Sequence, residues 1–330
     1  MRLPQELLQA IELQTAKIDR RLLMQASAQL TRHYKSDDIS SPAMASAAQR
    51  AAYLAVRMPA TYAAIWRVFS EIQQLAPQAA ITSMLDLGAG PGTTTFAAAE
   101  IFPSLQQATL IENDTALIEL GRAVAFQSSL PVVRGARWLQ HDLRSGLPEG
   151  QHDLVVISYA LGELPSAAIE ALLRQAWSRT RQFLVIAEPG TTRGFGVVHA
   201  ARAALIALHA DILAPCPHAG ACPLAGTGDW CHFAQRLERT QEHRQLKGGQ
   251  LGYEDEKFSY VIASREKITP AAARILRHPQ KHPGHVQLRL CAVPGIEMRT
   301  ITKSQKEKYK LARKAAWGDS WNLPAGPRKS

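Results

Sequence analysis

The sequence predicts an α/β protein built on a doubly wound, mostly parallel sheet. Three observations carry that expectation. From about residue 80 onward, short apolar runs alternate with stretches of helical period, the pattern of strands joined by crossover helices. The first apolar run ends in an acid and a glycine-rich turn, Asp86-Leu-Gly-Ala-Gly-Pro-Gly-Thr93, where a parallel sheet meets a ligand. Before it, residues 1–75 repeat their apolar positions only at spacings near three and four, so helices precede the sheet.

Element by element, Leu7, Leu8, Ile11 and Leu13, then Ile18, Leu22 and Leu23, mark N-terminal helices. The Ser36-Asp-Asp-Ile-Ser-Ser-Pro42 segment interrupts them, Pro42 is placed to begin a further helix, and one long helix is expected over Ala51–Leu75. Strands are expected at Ser83–Leu87, Gln107–Ile111, Arg137–Gln140, Leu154–Ser158 and Phe183–Ala187. Helices fall between and after them at Thr93–Ile101, Thr115–Gln127, Ser166–Arg179 and Val197–Ile212. Two later runs, Phe258–Ala263 and Val286–Cys291, read as strands that close the same sheet, and Thr302–Trp317 reads as a basic helix before a Pro/Gly/Lys tail. The expected division is a helical unit (1–78), a nucleotide-binding core (79–200), a cysteine-bearing insertion with closing strands (201–298) and a basic tail (299–330).

With 330 residues and 46% apolar content, the chain can bury a full core. No apolar run approaches the roughly 20 residues that cross a bilayer, and the start Met1-Arg-Leu-Pro-Gln-Glu lacks a signal-peptide pattern. The expectation is a reducing compartment, the cytoplasm, with no membrane partner. The net charge of +10 is uneven: residues 1–231 hold 18 Lys+Arg against 19 Asp+Glu, and residues 232–330 hold 20 against 9. Positive charge concentrated at one end is the footprint of a nucleic-acid partner, because neutralised phosphates release counterions.

Glycines 88, 90 and 92 permit a tight turn and close backbone approach to a ligand. Thr93 stands where the dinucleotide fingerprint would need its last glycine. With Asp86 two residues before the first glycine, the motif resembles motif I of the class I S-adenosylmethionine-dependent methyltransferases. The resemblance implies that Asp86, Gly88, Ala89, Gly90 and Gly92 face the cofactor's methionine part. Glu112, ending the second strand, can accept hydrogen bonds from both ribose hydroxyls, and Asp142 resembles the acid that meets the adenine amino group. Asp114 and Asp142 read equally as helix caps. Methyl transfer needs alignment of donor and acceptor, with a base only where a proton must leave. Tyr159, Glu163 and Glu188 are candidates for the cofactor's rim, and the sequence names no catalytic residue among them.

All four cysteines lie in the second half, and Cys216, Cys222 and Cys231 fall within sixteen residues, with Cys291 further on. In a reducing compartment such thiols read as metal ligands. No C-x2–4-C knuckle of structural zinc is present, yet His218 and His232 could complete a zinc site; by spacing, an iron–sulfur cluster and zinc both stay open.

Taken with Glu188-Pro-Gly-Thr191, Cys216-Pro-His218, Cys222-Pro223, Trp230-Cys-His-Phe233 and Arg313-Lys-Ala-Ala-Trp-Gly-Asp319, the chain resembles the methyltransferase-like small-ribosomal-subunit assembly family over residues 80–320. Its mitochondrial members associate with the maturing small subunit, and bacteria have homologues. The resemblance implies a [4Fe–4S] cluster on Cys216, Cys222, Cys231 and Cys291, with zinc as the alternative, and small-subunit ribosomal RNA or a pre-ribosomal particle as partner. Lysines and arginines of 299–314 would meet phosphates, extended by His278, Lys281, His282 and Arg289, while Tyr309, Trp317 or Trp321 could stack on a base. The leading expectation is a methyltransferase or methyltransferase-like factor acting on the small subunit. The alternatives are an assembly factor that binds the cofactor only structurally, or a zinc-bearing methyltransferase for a non-RNA substrate.

Overall fold

The computed structural model describes residues 1–35, 44–247, 251–293 and 295–322. The Ser36–Pro42 break, the Pro42 helix start and the end of the tail beyond residue 322 lie outside the described residues. The N-terminal apolar stripes form α1 (Gln5–Thr15), α2 (Arg20–Lys35), α3 (Ala47–Val56) and α4 (Met58–Leu75). The single helix expected over Ala51–Leu75 is therefore two. Pro59 sits in the first turn of α4 and has no N–H to continue the ladder from α3.

The sheet follows as β1 (Ser83–Leu87), α5 (Thr93–Ile101), β2 (Gln107–Glu112), α6 (Thr115–Ala125), α7 (Pro131–Arg134), β3 (Arg137–Gln140) and β4 (His152–Ser158). It continues with α8 (Ser166–Ser178), β5 (Thr180–Pro189), α9 (Thr192–Ala207), β6 (Asp211–Ala214), β7 (Phe233–Glu238), α10 (Gln241–Lys247) and β8 (Tyr253–Ser264). Its strand order is β3-β2-β1-β4-β5-β8-β6, with β7 also on β8. Strands β1 to β5 pair in parallel, and β8 enters antiparallel between β5 and β6. The strands are apolar on both faces. Met84, Leu154, Val156 and Phe183 pack against α4 and α5, whereas Leu85, Val155, Ile157 and Leu184 pack against α8 and α9. Helices α1 and α4 share the first of these cores with the sheet.

Helix α9 starts and ends earlier than the expected Val197–Ile212. Thr191 caps its N-terminus through Gly194 N–H (3.0 Å), and His209, with a left-handed φ of +59°, closes it. The released Ile212-Leu213-Ala214 pairs with β8 as strand β6. A second sheet holds β9 (Ala273–Ile275), β10 (Gln280–His282), β11 (His285–Ala292) and β12 (Gly295–Thr302). Phe258–Ala263, within β8, joins the main sheet, but Val286–Cys291 does not: as β11 it centres the second sheet, and β6 takes the place beside β8. The expected basic helix shortens to α11 (Lys306–Lys314), because Met298–Thr302 extends as β12 and Thr302 forms a capping box with Gln305. Tyr309 and Ala312 of α11 pack on Val286, Leu288 and Leu290, together with Trp321. Among the described residues no helix is long and apolar enough to cross a membrane.

One charged pair sits inside this architecture. Arg274 of β9 and Glu71 of α4 are each 1% exposed and 2.8 Å apart. Arg274 also donates to Pro215 O (3.1 Å) and Gly318 O (2.8 Å), and Arg67 of α4 pairs with Glu71 at 2.7 Å. Replacing Glu71 by Ala leaves the Arg274 guanidinium buried without its counter-charge and is expected to cost about 3–5 kcal/mol. Glu170→Ala, which breaks an exposed helix-surface pair with Arg174, is expected to cost less than about 1 kcal/mol. Chemical denaturation of the two variants side by side measures the contrast.

Candidate cofactor cleft and thiol cavity

A cleft of about 300 Å³ opens at the carboxyl ends of β1 to β4, the edge where parallel α/β sheets take ligands. The turn after β1 supplies Gly88, Ala89 and Gly90 to its wall. The end of β2 adds Glu112 and Asn113, the segment after β3 adds His141 and Asp142, and the segment from Ser158 to Pro165 completes that side. Gly88 and Ala89 N–H both donate to Ile111 O at 2.9 Å, which pins the turn onto β2. Gly88 has φ +75°, and a Cβ there would meet Ala160 Cβ at 2.6 Å. Gly90 has φ +54°, and its Cβ direction is open space. The backbone at 90 is thus bare toward the cleft.

Glu112 is more committed than the sequence suggests. Oε2 accepts Gly90 N–H (2.8 Å), and Oε1 accepts Asn113 N–H (2.8 Å) and Asp114 N–H (2.9 Å). Of roughly four lone-pair directions on a carboxylate, three are taken. One remains for a ligand hydroxyl, where two were expected. Asp114 caps α6 through Ala116 N–H (2.8 Å). Asp142 lines the cleft but also caps the short helical turn after β3 and grips Arg144 at 2.6 Å, and that contact holds its carboxyl down at about 2.

Asp86 and Gly92 are not in the cleft wall. Gly92 is the N-cap of α5. Asp86 lies behind the turn, fully buried, and neither carboxylate oxygen has a hydrogen-bond partner. Burial pushes its carboxyl up to about 7; Thr94 is near enough to favour the charged form but makes no hydrogen bond to it. Of the rim candidates, Tyr159 and Glu163 line the cleft and Glu188 does not. Glu188 faces the back of the Ser158–Pro165 segment and accepts Leu161 N–H (2.9 Å) and Gly162 N–H (3.1 Å), and burial raises its carboxyl to about 7. Glu163 is raised mainly by burial, then by the nearby Glu112. Tyr159 has φ +57°, a left-handed conformation that costs a non-glycine residue about 1–2 kcal/mol. Its hydroxyl donates to Glu256 (3.2 Å), which also pairs with Arg57 at 3.2 Å.

Arg57, Tyr53 and Thr61 close the cleft's other side. Sequence reasoning missed them, together with Glu256. They come from α3, α4 and β8, far from the glycine turn, and no local motif marks them.

The four cysteines, all free, line a second cavity of about 40 Å³. Cys216 and Cys222 lie in the segment between β6 and β7, Cys231 just before β7, and Cys291 on β11 of the second sheet. Burial raises Cys216, and more strongly Cys231, whose thiol is also disfavoured as a thiolate by the other three; Cys291 rises to about 12 from burial and then Cys216 and Cys222. Arg202 and Arg274 act in the opposite direction on Cys216. Both arginines also hold the segment: Arg202 Nη2 donates to His218 O and Gly220 O at 2.8 Å. Among the described residues, no group of three or more His, Cys, Asp or Glu is arranged to hold a metal ion. His232 instead stacks on Trp230 (5.0 Å) and meets Trp317 edge-on (4.9 Å).

The expected basic surface is partly redirected. Arg289 pairs with Asp229 (2.7 Å) next to Trp230, alongside Arg277. Trp321 is buried and Tyr309 half-buried, while Trp317 packs on His232 and His278, so these rings serve the core. Lys303, Lys306, Lys310, Arg313 and Lys314 are exposed.

This sheet order, its one antiparallel strand and the glycine-turn cleft define a protein of the class I methyltransferase fold. The chain belongs to the family described as mitochondrial small ribosomal subunit Rsm22, which matches residues 47–322. It is 30% identical over 286 residues to the human mitochondrial ribosome assembly protein METTL17, covering 81% of this chain and 61% of that one. It is 28% identical over 333 residues to the mitochondrial Rsm22-cox11 tandem protein 2 of Schizosaccharomyces pombe, covering 82% and 43%. The chain thus spans 61% and 43% of the length of these curated relatives. Similar solved structures include the magnesium protoporphyrin IX methyltransferase of Synechocystis PCC 6803 (10% identity, 63% of this chain and 80% of that one, TM-score 0.41). Another is the precorrin-6y C5,15-methyltransferase of Geobacter metallireducens GS-15 (14% identity, 61% and 88%, TM-score 0.39).

A buried carboxyl whose folded pKa is raised, from 3.8 to about 7 at Asp86, stabilises the fold at low pH and loses that contribution as pH rises through 7. Asp86→Asn is expected to flatten the decline in melting temperature between about pH 4 and pH 7. Melting curves of both proteins without ligand, across that range, check it; parallel curves would contradict it.

Proposed function

We propose that this chain binds S-adenosylmethionine in the cleft and works, as a methyltransferase or a factor derived from one, on the small ribosomal subunit during its assembly. The observation that carries the reading is the cleft itself, with the glycine turn on one side, open at Gly90, and Glu112 beside it, in a chain of the Rsm22 family. When bound, the cofactor would supply an electrophilic methyl group. The chain's own residues position it. The open Cβ direction at Gly90 leaves space for a ligand, the free lone pair of Glu112 can accept a ribose hydroxyl, and Asn113 and Asp142, which line the cleft, would meet the base edge. Tyr159 and Glu163 border the side from which an acceptor would come, and Arg57 closes it.

Three thiols of the segment between β6 and β7 and one of β11, around one cavity, support a [4Fe–4S] cluster on Cys216, Cys222, Cys231 and Cys291. A single tetrahedral zinc needs its sulfurs about 3.8 Å apart, given the Zn–S distance; a polynuclear cluster spans more. The same reading puts the protein in a reducing compartment, the cytoplasm, whereas its relatives are named as mitochondrial. The proposed partner is small-subunit ribosomal RNA. With Tyr309 and Trp321 turned inward, the exposed lysines would meet phosphates rather than bases.

Mass spectrometry of small-subunit ribosomal RNA from cells with and without the gene, and from a Gly90→Ala strain, tests the reading. A methyl group lost in both altered strains names an enzyme and its target; intact methylation with immature subunits accumulating names an assembly factor. In calorimetry, Gly90→Ala is expected to weaken S-adenosylhomocysteine binding at least tenfold, while the left-handed φ of +54° costs the alanine only about 1–2 kcal/mol of stability. Gly88→Ala, which drives a Cβ into Ala160, is expected to lower the melting temperature itself. RNA affinity is expected to fall steeply with salt, and Lys306→Ala with Lys310→Ala to flatten the log–log slope by about 1–2. An unchanged slope would remove α11 from the interface.

A further inference from the structure

The cavity that gathers the four cysteines also gathers three buried nitrogen atoms with no hydrogen-bond partner: Arg202 Nε, Arg274 Nη2 and His218 Nε2. Arg202 Nε and Arg274 Nη2 are donors in every state, and His218 Nε2 is one in the tautomer protonated there; a buried polar atom left unpaired costs about 1–3 kcal/mol, so three around one small cavity are not an accident of loose packing. Other nitrogens of the two arginines are engaged. Arg274 spends Nε on Pro215 O and Nη1 on Gly318 O, and Arg202 spends Nη2 on His218 O and Gly220 O. The two guanidiniums are thus held from behind while Arg202 Nε and Arg274 Nη2 stay unpaired. Two guanidiniums that cannot lose their charge, beside four thiols, suit an anionic occupant with acceptor atoms on its surface.

We propose that Arg202, Arg274 and His218 form a ring of N–H donors to the sulfurs of the iron–sulfur centre, holding it as an anion and raising its reduction potential. The proposal rests on the cluster reading above and deepens it. The sulfurs of an iron–sulfur cluster accept hydrogen bonds, and donors with positive charge favour the reduced, more negative state. Zinc ligated by four thiolates would offer only the thiolates themselves as acceptors. Arg274 and Arg202 also carry the backbone of the Cys216 segment, so the same two residues shape the ligand loop and compensate its charge.

His218 gives the cleanest test, since its side chain holds no other element in place through Nε2. His218→Leu removes the donor, and His218→Gln restores an N–H at similar reach. Full-length protein is purified anaerobically, assayed for iron, sulfide and zinc, and studied by resonance Raman spectroscopy in H2O and D2O and by potentiometric titration with an external reductant. The expected wild-type result is iron and sulfide, with iron–sulfur stretching bands that shift in D2O. In His218→Leu, part of that shift should vanish and the midpoint should move to a more negative value, and His218→Gln should recover both. Arg202→Lys, which keeps the charge but loses the Nε donor, should reduce the D2O shift with a smaller change in midpoint. Zinc without sulfide in the wild type would overturn the cluster reading and the donor ring with it. An intact cluster whose D2O shift is the same in wild type, His218→Leu and Arg202→Lys would overturn the donor ring alone.

Discussion

The buried guanidinium of Arg274 is the constraint on which the rest of the molecule depends. It reaches helix α4 through Glu71, the cysteine segment through Pro215 O and the C-terminal stretch through Gly318 O. Glu71 and Gly318 lie about 250 residues apart in sequence, and the C-terminal stretch is tied to β9 by backbone bonds as well, from Gly318 N–H to Ile275 O (2.9 Å) and Trp321 N–H to Ala273 O (2.8 Å). A charge buried to this degree is tolerable only when its surroundings are complete. The arrangement therefore gives up a margin of stability in exchange for a unique docking of the second sheet on the first.

Much of the main sheet was legible in the sequence because its strands are apolar on both faces and short, with helices of clear period between them. Ser83–Leu87, Arg137–Gln140 and Thr93–Ile101 appear with the expected ends. What was not legible depended on long-range choices. Ile212-Leu213-Ala214 reads equally well as the end of a helix, and only pairing with β8 makes it a strand. Val286–Cys291 has strand character in either sheet; its partners, not its composition, assign it to the second. The glycine turn and Glu112 were found from sequence because their chemistry is local. Arg57 and Glu256 were not, since 199 residues separate them, and neither sits in a motif. Asp142 shows a different limit: one carboxylate serves as a cap and as part of the cleft wall, and spacing does not separate those roles.

The N-terminal helices are part of the cleft as well as of the core. Helix α4 reaches the cleft with Thr61 and, ten residues on, pairs through Glu71 with Arg274 of the thiol cavity, and it is buried all round from Tyr62 to Ile65. One rigid helix thus spans the distance between the two candidate sites, which explains why the helical segment cannot be read as an appendage to the sheet.

Strand β8 spans the same distance by another route. Glu256 stands at the cleft, held by Arg57 and Tyr159, while Ser259 donates to Cys231 O (2.8 Å) and Tyr260 borders the thiol cavity. Three residues of extended chain, about 10 Å, are the whole separation. Because side chains alternate along a strand, gaining or losing one residue between Glu256 and Ser259 would turn one of the two sites' residues to the opposite face. A single insertion or deletion in this interval would therefore break one site while leaving the other in place, whereas a change of side chain would not.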